Sequence, residues 1–202
     1  EKVEQERPDC ILTGGDMLTR TQPETDRTAL ALMRRLASAA PVYAANGNHE
    51  QKMKENCRQY GDRYERYRHA LLEAGIRVLE NETCLFQKEG FQAAITGLEL
   101  PLSCYSHLGR EELQVEEIEE RVGERSGDTY RILMAHNPAY MDVYWEWGAD
   151  LVLSGHLHGG VVRLPLVGGV ITPQMQLFPR YSGDMYKGKD GQSCVVSRGL
   201  GT

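Results

Sequence analysis

The chain has no apolar run long enough to span a bilayer, which takes ~20 consecutive apolar residues, and its mean hydropathy is negative. No signal-peptide pattern opens it; Glu1-Lys2-Val3-Glu4-Gln5-Glu6 reads as the middle of a helix. Basic residues are in deficit, 23 Lys and Arg against 29 Asp and Glu, for a net charge of −6. That balance argues against broad nucleic-acid binding, which needs a basic face, and it suits a site whose positive charge comes from bound cations. Cysteines are few and scattered. Cys10, Cys57, Cys84, Cys104 and Cys194 are odd in number and widely spaced, which argues against a disulfide framework. No Cys-x-x-Cys pair offers a thiolate zinc site. Repeats, low-complexity tracts and linkers are also missing, so the 202 residues are expected to form one domain with a substantial core.

What the chain does have is a set of short apolar runs that end in polar ligands. Cys10-Ile11-Leu12-Thr13 leads into Gly14-Gly15-Asp16, and Val42-Tyr43-Ala44-Ala45 leads toward Gly47-Asn48-His49-Glu50. Ile132-Leu133-Met134-Ala135 runs into His136-Asn137-Pro138, and Leu151-Val152-Leu153-Ser154 into Gly155-His156-Leu157-His158-Gly159-Gly160. Buried parallel strands read as short apolar runs of this kind. Open α/β sheets collect ligands just beyond the carboxyl ends of their strands. Four such ends would bring Asp, Asn and His side chains to one edge.

Between these runs, helical and extended patterns alternate. A helix is expected from Thr25 or Asp26, either of which can cap it, to residue 40, with Leu30, Met33, Leu36 and Ala37 at helical spacing. Residues 53–74 read as one long helix ended by Gly75. Strands are expected at 76–79, 83–87 and 91–97, the last two joined by a hairpin turn at Lys88-Glu89-Gly90. Residues 111–125 read as an amphipathic helix with Val115, Ile118 and Val122 on one face and a solvated acidic side. A helix over 138–147 separates strands at 130–135 and 150–154. Beyond it, 161–163, 169–171 and 193–197 are candidate strands, and 172–191 is a long ordered loop of the kind that carries function.

Each ligand-bearing string has an ordinary explanation as well. A lone His-x-His is more often a pair of surface histidines. Here Gly155-His156-Leu157-His158 ends an apolar strand and is boxed by glycines, so His156 and His158 are read as addressing one or two metals. Gly47-Asn48-His49-Glu50 alone could be a turn. Read as a site, Asn48 offers an amide oxygen to a metal, His49 a proton to a leaving group, and Glu50 orients His49. Gly14-Gly15-Asp16 alone is a turn; in a site, the Asp16 carboxylate can bridge two cations. His136 could simply open a helix, since Pro138 suits a first helical turn. The occurrence of all four in order outweighs the separate explanations. His69 is read as a surface residue, His107 as an exposed loop residue, and Trp145 and Trp147 as helix packing.

In this order the strings resemble the motifs of the calcineurin-like metallophosphoesterases: Asp-x-His, Gly-Asp, Gly-Asn-His-Asp/Glu, a single His, and Gly-His-x-His. Gly15-Asp16, Gly47-Asn48-His49-Glu50, His136 and Gly155-His156-Leu157-His158 match four of the five. The tail through Arg163-Leu164-Pro165 and Leu177-Phe178-Pro179 to Arg198-Gly199-Leu200-Gly201-Thr202 is similar to a bacterial branch. That branch includes membrane-associated phosphohydrolases and UDP-2,3-diacylglucosamine hydrolase-type enzymes.

The resemblance implies an α/β fold, a four-layer α/β/β/α sandwich of two mixed β-sheets. It implies two divalent transition metal ions (Mn, Fe, Zn or Ni), with Asp16 bridging both. Asn48, His136 and His156 would complete one site, His158 would serve the other, and His49 would be the catalytic imidazole. The implied activity is hydrolysis of a phosphomonoester, phosphodiester or pyrophosphate by a metal-bridging hydroxide, on a small-molecule or lipid-linked substrate. A non-catalytic protein-interaction scaffold on the same fold is the alternative; His49, which a scaffold does not need, favours the enzyme. No nucleic-acid partner is expected. The family resemblance implies a cytoplasmic or membrane-associated protein, in the latter case through a segment absent from this sequence. The departure from the pattern is that no Asp-x-His precedes Gly15-Asp16. Residues 1–202 therefore read as a single domain lacking the family's first strand, with that motif, and its last strand; a protein that lost one metal site is the other account.

Overall fold

A computed structural model describes residues 2–106, 111–125, 127–157, 162–164, 168–171, 180–181 and 183–199. The apolar runs become strands: β1 (Ile11–Thr13), β2 (Val42–Ala45), β3 (Arg77–Leu79), β4 (Glu82–Lys88), β5 (Phe91–Leu98), β6 (Tyr130–Ala135) and β7 (Leu151–Ser154). They are followed by β8 (Val162–Leu164), β9 (Gly168–Ile171), β10 (Asp184–Lys187) and β11 (Ser193–Val196). The helices are α1 (Lys2–Glu6), α2 (Asp26–Ala39), α3 (Asn48–Glu55), α4 (Cys57–Tyr60), α5 (Arg63–Glu73), α6 (Val115–Val122) and α7 (Met141–Trp147).

Two sheets carry the domain. One has the order β1-β2-β3, all parallel. The other is mixed, in the order β10-β11-β7-β6-β5-β4, with a parallel centre and an antiparallel strand at each edge. β8 and β9 pair with each other as an antiparallel ribbon. Side chains alternate across a strand, and that alternation splits the core into three. Val42 and Ala44 pack with Met33, Tyr64, Tyr67 and Leu71 of α2 and α5. Tyr43 and Ala45 point the other way, onto Ile95 and Met134 of the second sheet. Beyond that sheet, Leu98, Leu133 and Val152 pack under Ile118, Tyr144 and Trp147 of α6 and α7. The layers are thus helix, sheet, sheet, helix. Each large buried apolar side chain contributes ~1.5–3 kcal/mol to holding them.

The helix expected over 53–74 is three helices. α3 begins earlier, at Asn48, and the chain bends at Asn56 (φ −113°, ψ 53°) and at Gly61 (φ 63°), where glycine tolerates the left-handed backbone. A bidentate pair from Arg63 to Asp26, at 2.6 and 2.5 Å, pins the start of α5 to the start of α2. The hairpin turn is as expected, with Glu89 (φ 49°) and Gly90 (φ 85°) both left-handed. β10 lies within the stretch read as a loop. It is an edge strand of mostly exposed residues, so no buried alternation marked it.

β1 pairs only with β2 among the described residues. Across the sandwich, Leu153, Val195 and Met185 are register neighbours on the face that packs against the first sheet. Val195 is 38% and Met185 64% exposed there. No described helix is long and apolar enough to cross a membrane.

Candidate metal centre

The site forms where the loops after β1, β2, β6 and β7 meet. Asp16 follows β1 in left-handed backbone, φ 55°, a conformation that a non-glycine residue holds only when its surroundings fix it. Its Oδ1 accepts the backbone N–H of His49 at 2.9 Å, satisfying a donor in the first turn of α3 that has no helical partner. Glu50, 1% exposed, fastens the two loops together. Its Oε2 accepts the N–H groups of Asp16 (2.8 Å) and Gly47 (3.0 Å), and its Oε1 that of Leu18 (2.7 Å). The role expected for Glu50, orienting His49, is not the one it has. The His49 ring is held instead by the Leu18 carbonyl, 3.1 Å from Nδ1. The approach of the loops demands glycine. A Cβ on Gly15 would sit 2.1 Å from Gly47 N, and one on Gly47 would sit 2.1 Å from Asp16 Oδ1.

His136, at the end of β6, is 3% exposed. Its Nδ1 lies 2.6 Å from the Gly14 carbonyl. A carbonyl only accepts, so Nδ1 carries the proton and, in the neutral ring, Nε2 carries a lone pair. Nε2 lies 3.0 Å from Asp16 Oδ2, within ion-pair range, yet it is buried without hydrogen-bond geometry. Two acceptors at that separation need a proton or a cation between them. His156, after β7 and again left-handed at φ 67°, places Nδ1 2.9 Å from Asn48 Oδ1. Ligand atoms of Asp16, His136 and His156 all lie within 4.8 Å of one another. A buried lone pair beside a carboxylate, a second imidazole and an amide oxygen is a donor set that fits a divalent ion.

The charges respond to one another. Burial alone would raise the Asp16 pKa, but the adjacent His136 and His49 outweigh it and hold the carboxyl well below its usual range. Burial likewise would lower the His136 pKa; the Asp16 charge and the Gly14 carbonyl reverse this and raise it. Burial and the nearby Asp16 charge push Glu50 up to about 7, against the pull of its three N–H donors.

Of the residues expected at the site, Asp16, Asn48, His136 and His156 converge and His49 adjoins them. His158 and His107 lie outside the described residues. His69 is on the surface, 3.5 Å from Glu73, and Trp147 is buried in packing. Sequence reasoning missed Tyr105, whose ring lies against both imidazoles. It also missed the brace behind α3. Asn46 Nδ2 donates to Tyr64 Oη (2.6 Å) and Glu99 Oε1 (2.7 Å), and Lys54 bridges Glu80 (2.7 Å) and Glu99 (2.9 Å). The apolar run before Asn46 announces a strand end, but nothing in the sequence pairs Asn46 with a residue 53 positions away.

The sequence matches the calcineurin-like phosphoesterase family over residues 1–160, and the chain belongs to that family. Phosphodiesterase YaeI of Escherichia coli (strain K12) is 28% identical over 170 residues, covering 84% of this chain and 56% of YaeI. The uncharacterized metallophosphoesterase YkuE of Bacillus subtilis (strain 168) is 26% identical over 204 residues, covering 98% of this chain and 63% of YkuE. The chain thus spans between 56% and 63% of the length of these relatives. The solved structure of the NAD nucleotidase NadN of Haemophilus influenzae superposes with a TM-score of 0.52 at 18% identity, over 98% of this chain and 42% of that one. That likeness concerns the fold. The family implies divalent metal ions, and the donor set above fits them.

Proposed function

We propose that the protein is a phosphohydrolase acting on small-molecule or lipid-linked phosphate esters, with two divalent transition metal ions held by Asp16, Asn48, His136, His156 and His158. The observation that carries this is the convergence of Asp16, His136 and His156 within 4.8 Å, with His136 Nε2 3.0 Å from the Asp16 carboxylate. Divalent ions in such a site supply Lewis acidity toward phosphoryl oxygens and a nucleophilic oxygen at neutral pH. The chain's own residues orient and move protons. Asp16 keeps one oxygen on the start of α3 and turns the other to His136, so its carboxylate cannot swing. His49 is the catalytic imidazole. Its Nδ1–H is engaged by the Leu18 carbonyl, which leaves Nε2 to hand a proton to the departing alkoxide. The name of YaeI favours diesters as the first substrate class to assay.

The same proposal completes the first sheet. The edge of β1 that is unpaired among the described residues and the exposed Val195 and Met185 opposite it support a further strand alongside β1, as the place for an Asp-x-His. The test of function is an assay of the chelated full-length gene product on bis-p-nitrophenyl phosphate and p-nitrophenyl phosphate. Mn, Fe, Zn and Ni are added back singly. At least one ion restores turnover of at least one substrate; failure of every combination overturns the proposal.

A further inference from the structure

We infer that Tyr105 is a positioning residue of the metal centre, its ring rather than its hydroxyl holding His136 and His156 in the arrangement an ion needs. This rests on the metal-centre reading above.

Tyr105 closes a short 3-10 turn, Leu102–Tyr105, beyond β5. The turn is fastened at buried Cys104, whose carbonyl accepts the Asn137 side-chain amide at 2.9 Å. Asn137 is the chain neighbour of His136 and Cys104 that of Tyr105, so this hydrogen bond ties together the two backbone segments that carry the tyrosine and the histidine. From there the ring stands edge-on to His156, with centroids 5.1 Å apart and planes at 72°. It meets His136 at 6.4 Å and 39°. The two imidazoles are themselves 5.5 Å apart at 71°, so three rings brace one another. His136 has a second tether in the Gly14 carbonyl. His156 is tethered by Asn48 Oδ1, 2.9 Å from its Nδ1, and sits in left-handed backbone at φ 67°, a conformation that persists where the surroundings hold it. Edge-to-face contacts at these separations are favourable. The Tyr105 hydroxyl makes no hydrogen bond among the described residues, and its contacts with the two imidazoles are made by the ring. The ring is therefore what the imidazoles feel.

Groups that support metal ligands from outside typically set affinity by ~10–100-fold. The test is calorimetric titration of the chelated protein with Zn²⁺ alone. Tyr105→Phe keeps the ring and should bind within about twofold of the unaltered protein, whereas Tyr105→Ala and Tyr105→Leu should bind ~10–100-fold more weakly. Tyr105→Leu keeps bulk at the site, and its chelated form should melt within about 2 °C of the unaltered protein, a shift of under ~1 kcal/mol. Zn²⁺ binding by the Ala and Leu variants at unaltered affinity overturns the inference, with or without a change in melting. A loss in Tyr105→Phe as large as in Tyr105→Ala overturns it too, by assigning the effect to the hydroxyl. Absence of Zn²⁺ uptake by the unaltered protein is a different result and overturns the metal-centre reading itself.

Discussion

Replacing Gly47 by alanine isolates one structural demand of the site. The backbone there, φ −94° and ψ −175°, is extended and open to any residue, so the change carries no conformational strain. Alanine even restricts the unfolded chain, a gain of ~0.4–1 kcal/mol. The cost lies wholly in contact. The new methyl would be 2.1 Å from Asp16 Oδ1, 2.5 Å from Asp16 N and 2.7 Å from Asp16 Cγ, so Asp16 must move by more than an ångström. Moving it lengthens two charge-assisted hydrogen bonds, His49 N–H to Asp16 Oδ1 (2.9 Å) and Asp16 N–H to Glu50 Oε2 (2.8 Å). Each is worth ~1.5–3 kcal/mol. With about half of that lost as the loops relax, and the unfolded-chain gain set against it, the net destabilisation is about 0.5–2.5 kcal/mol. In a domain of this size that lowers the melting temperature by roughly 1–10 °C. Zn²⁺ affinity should fall as well, since Asp16 leaves His136. The control is Gly14→Ala, whose Cβ meets nothing within 4 Å and which should stay within ~0.5 kcal/mol of the unaltered protein. Thermal melts of the chelated protein and Zn²⁺ titrations read both. Equal melting of the two variants, within about 1 °C, would refute the claim that close loop approach builds the site.

His49→Ala should keep metal binding and lose ~10²–10⁴-fold in rate, whereas Asp16→Asn should lose metal; equal metal loss in both would remove His49 from proton transfer. Glu80 gives a pH signature. Burial would raise its pKa, but hydrogen bonds from Lys54, Arg68 and Tyr64 hold it below 4.5. A lowered pKa in the fold contributes stability above the unfolded value that is lost as pH falls. The melting temperature should therefore drop below pH ~4.5, and Glu80→Gln should flatten that drop; an unchanged acid limb would sink the assignment. Residues 1–202 expressed alone should be insoluble or lack the metal that His158 helps hold, because the unpaired edge of β1 is a template for pairing with another chain. A soluble, cooperatively unfolding monomer with two ions would overturn the proposed extra strand.

By itself the sequence determined the strands that matter most and the polar side chains at their ends. β2, β6 and β7 are apolar runs because strands covered on both faces exclude water from most of their side chains. Asp16, Asn48, His136 and His156 stand where those runs stop. Their convergence was legible because parallel strands deliver their carboxyl ends to one edge. Weakly patterned stretches were not legible. β10 is an edge strand with only Tyr186 partly buried, and the 53–74 helix breaks at Asn56 and Gly61, with Arg63 just beyond pairing with Asp26, 37 positions away. The tertiary structure alone decided the rest of the site. Glu50 sits beside His49 in the chain, yet it binds the N–H groups of Asp16 and Leu18 across 34 and 32 positions. Tyr105 comes from a loop with no motif and meets two histidines that follow it by 31 and 51 positions. Local sequence can encode a strand and a ligand type, since those depend on near neighbours. Which carboxylate staples two loops, and which ring braces two imidazoles, depends on the distance between backbone segments, and only the packed sheets set that distance.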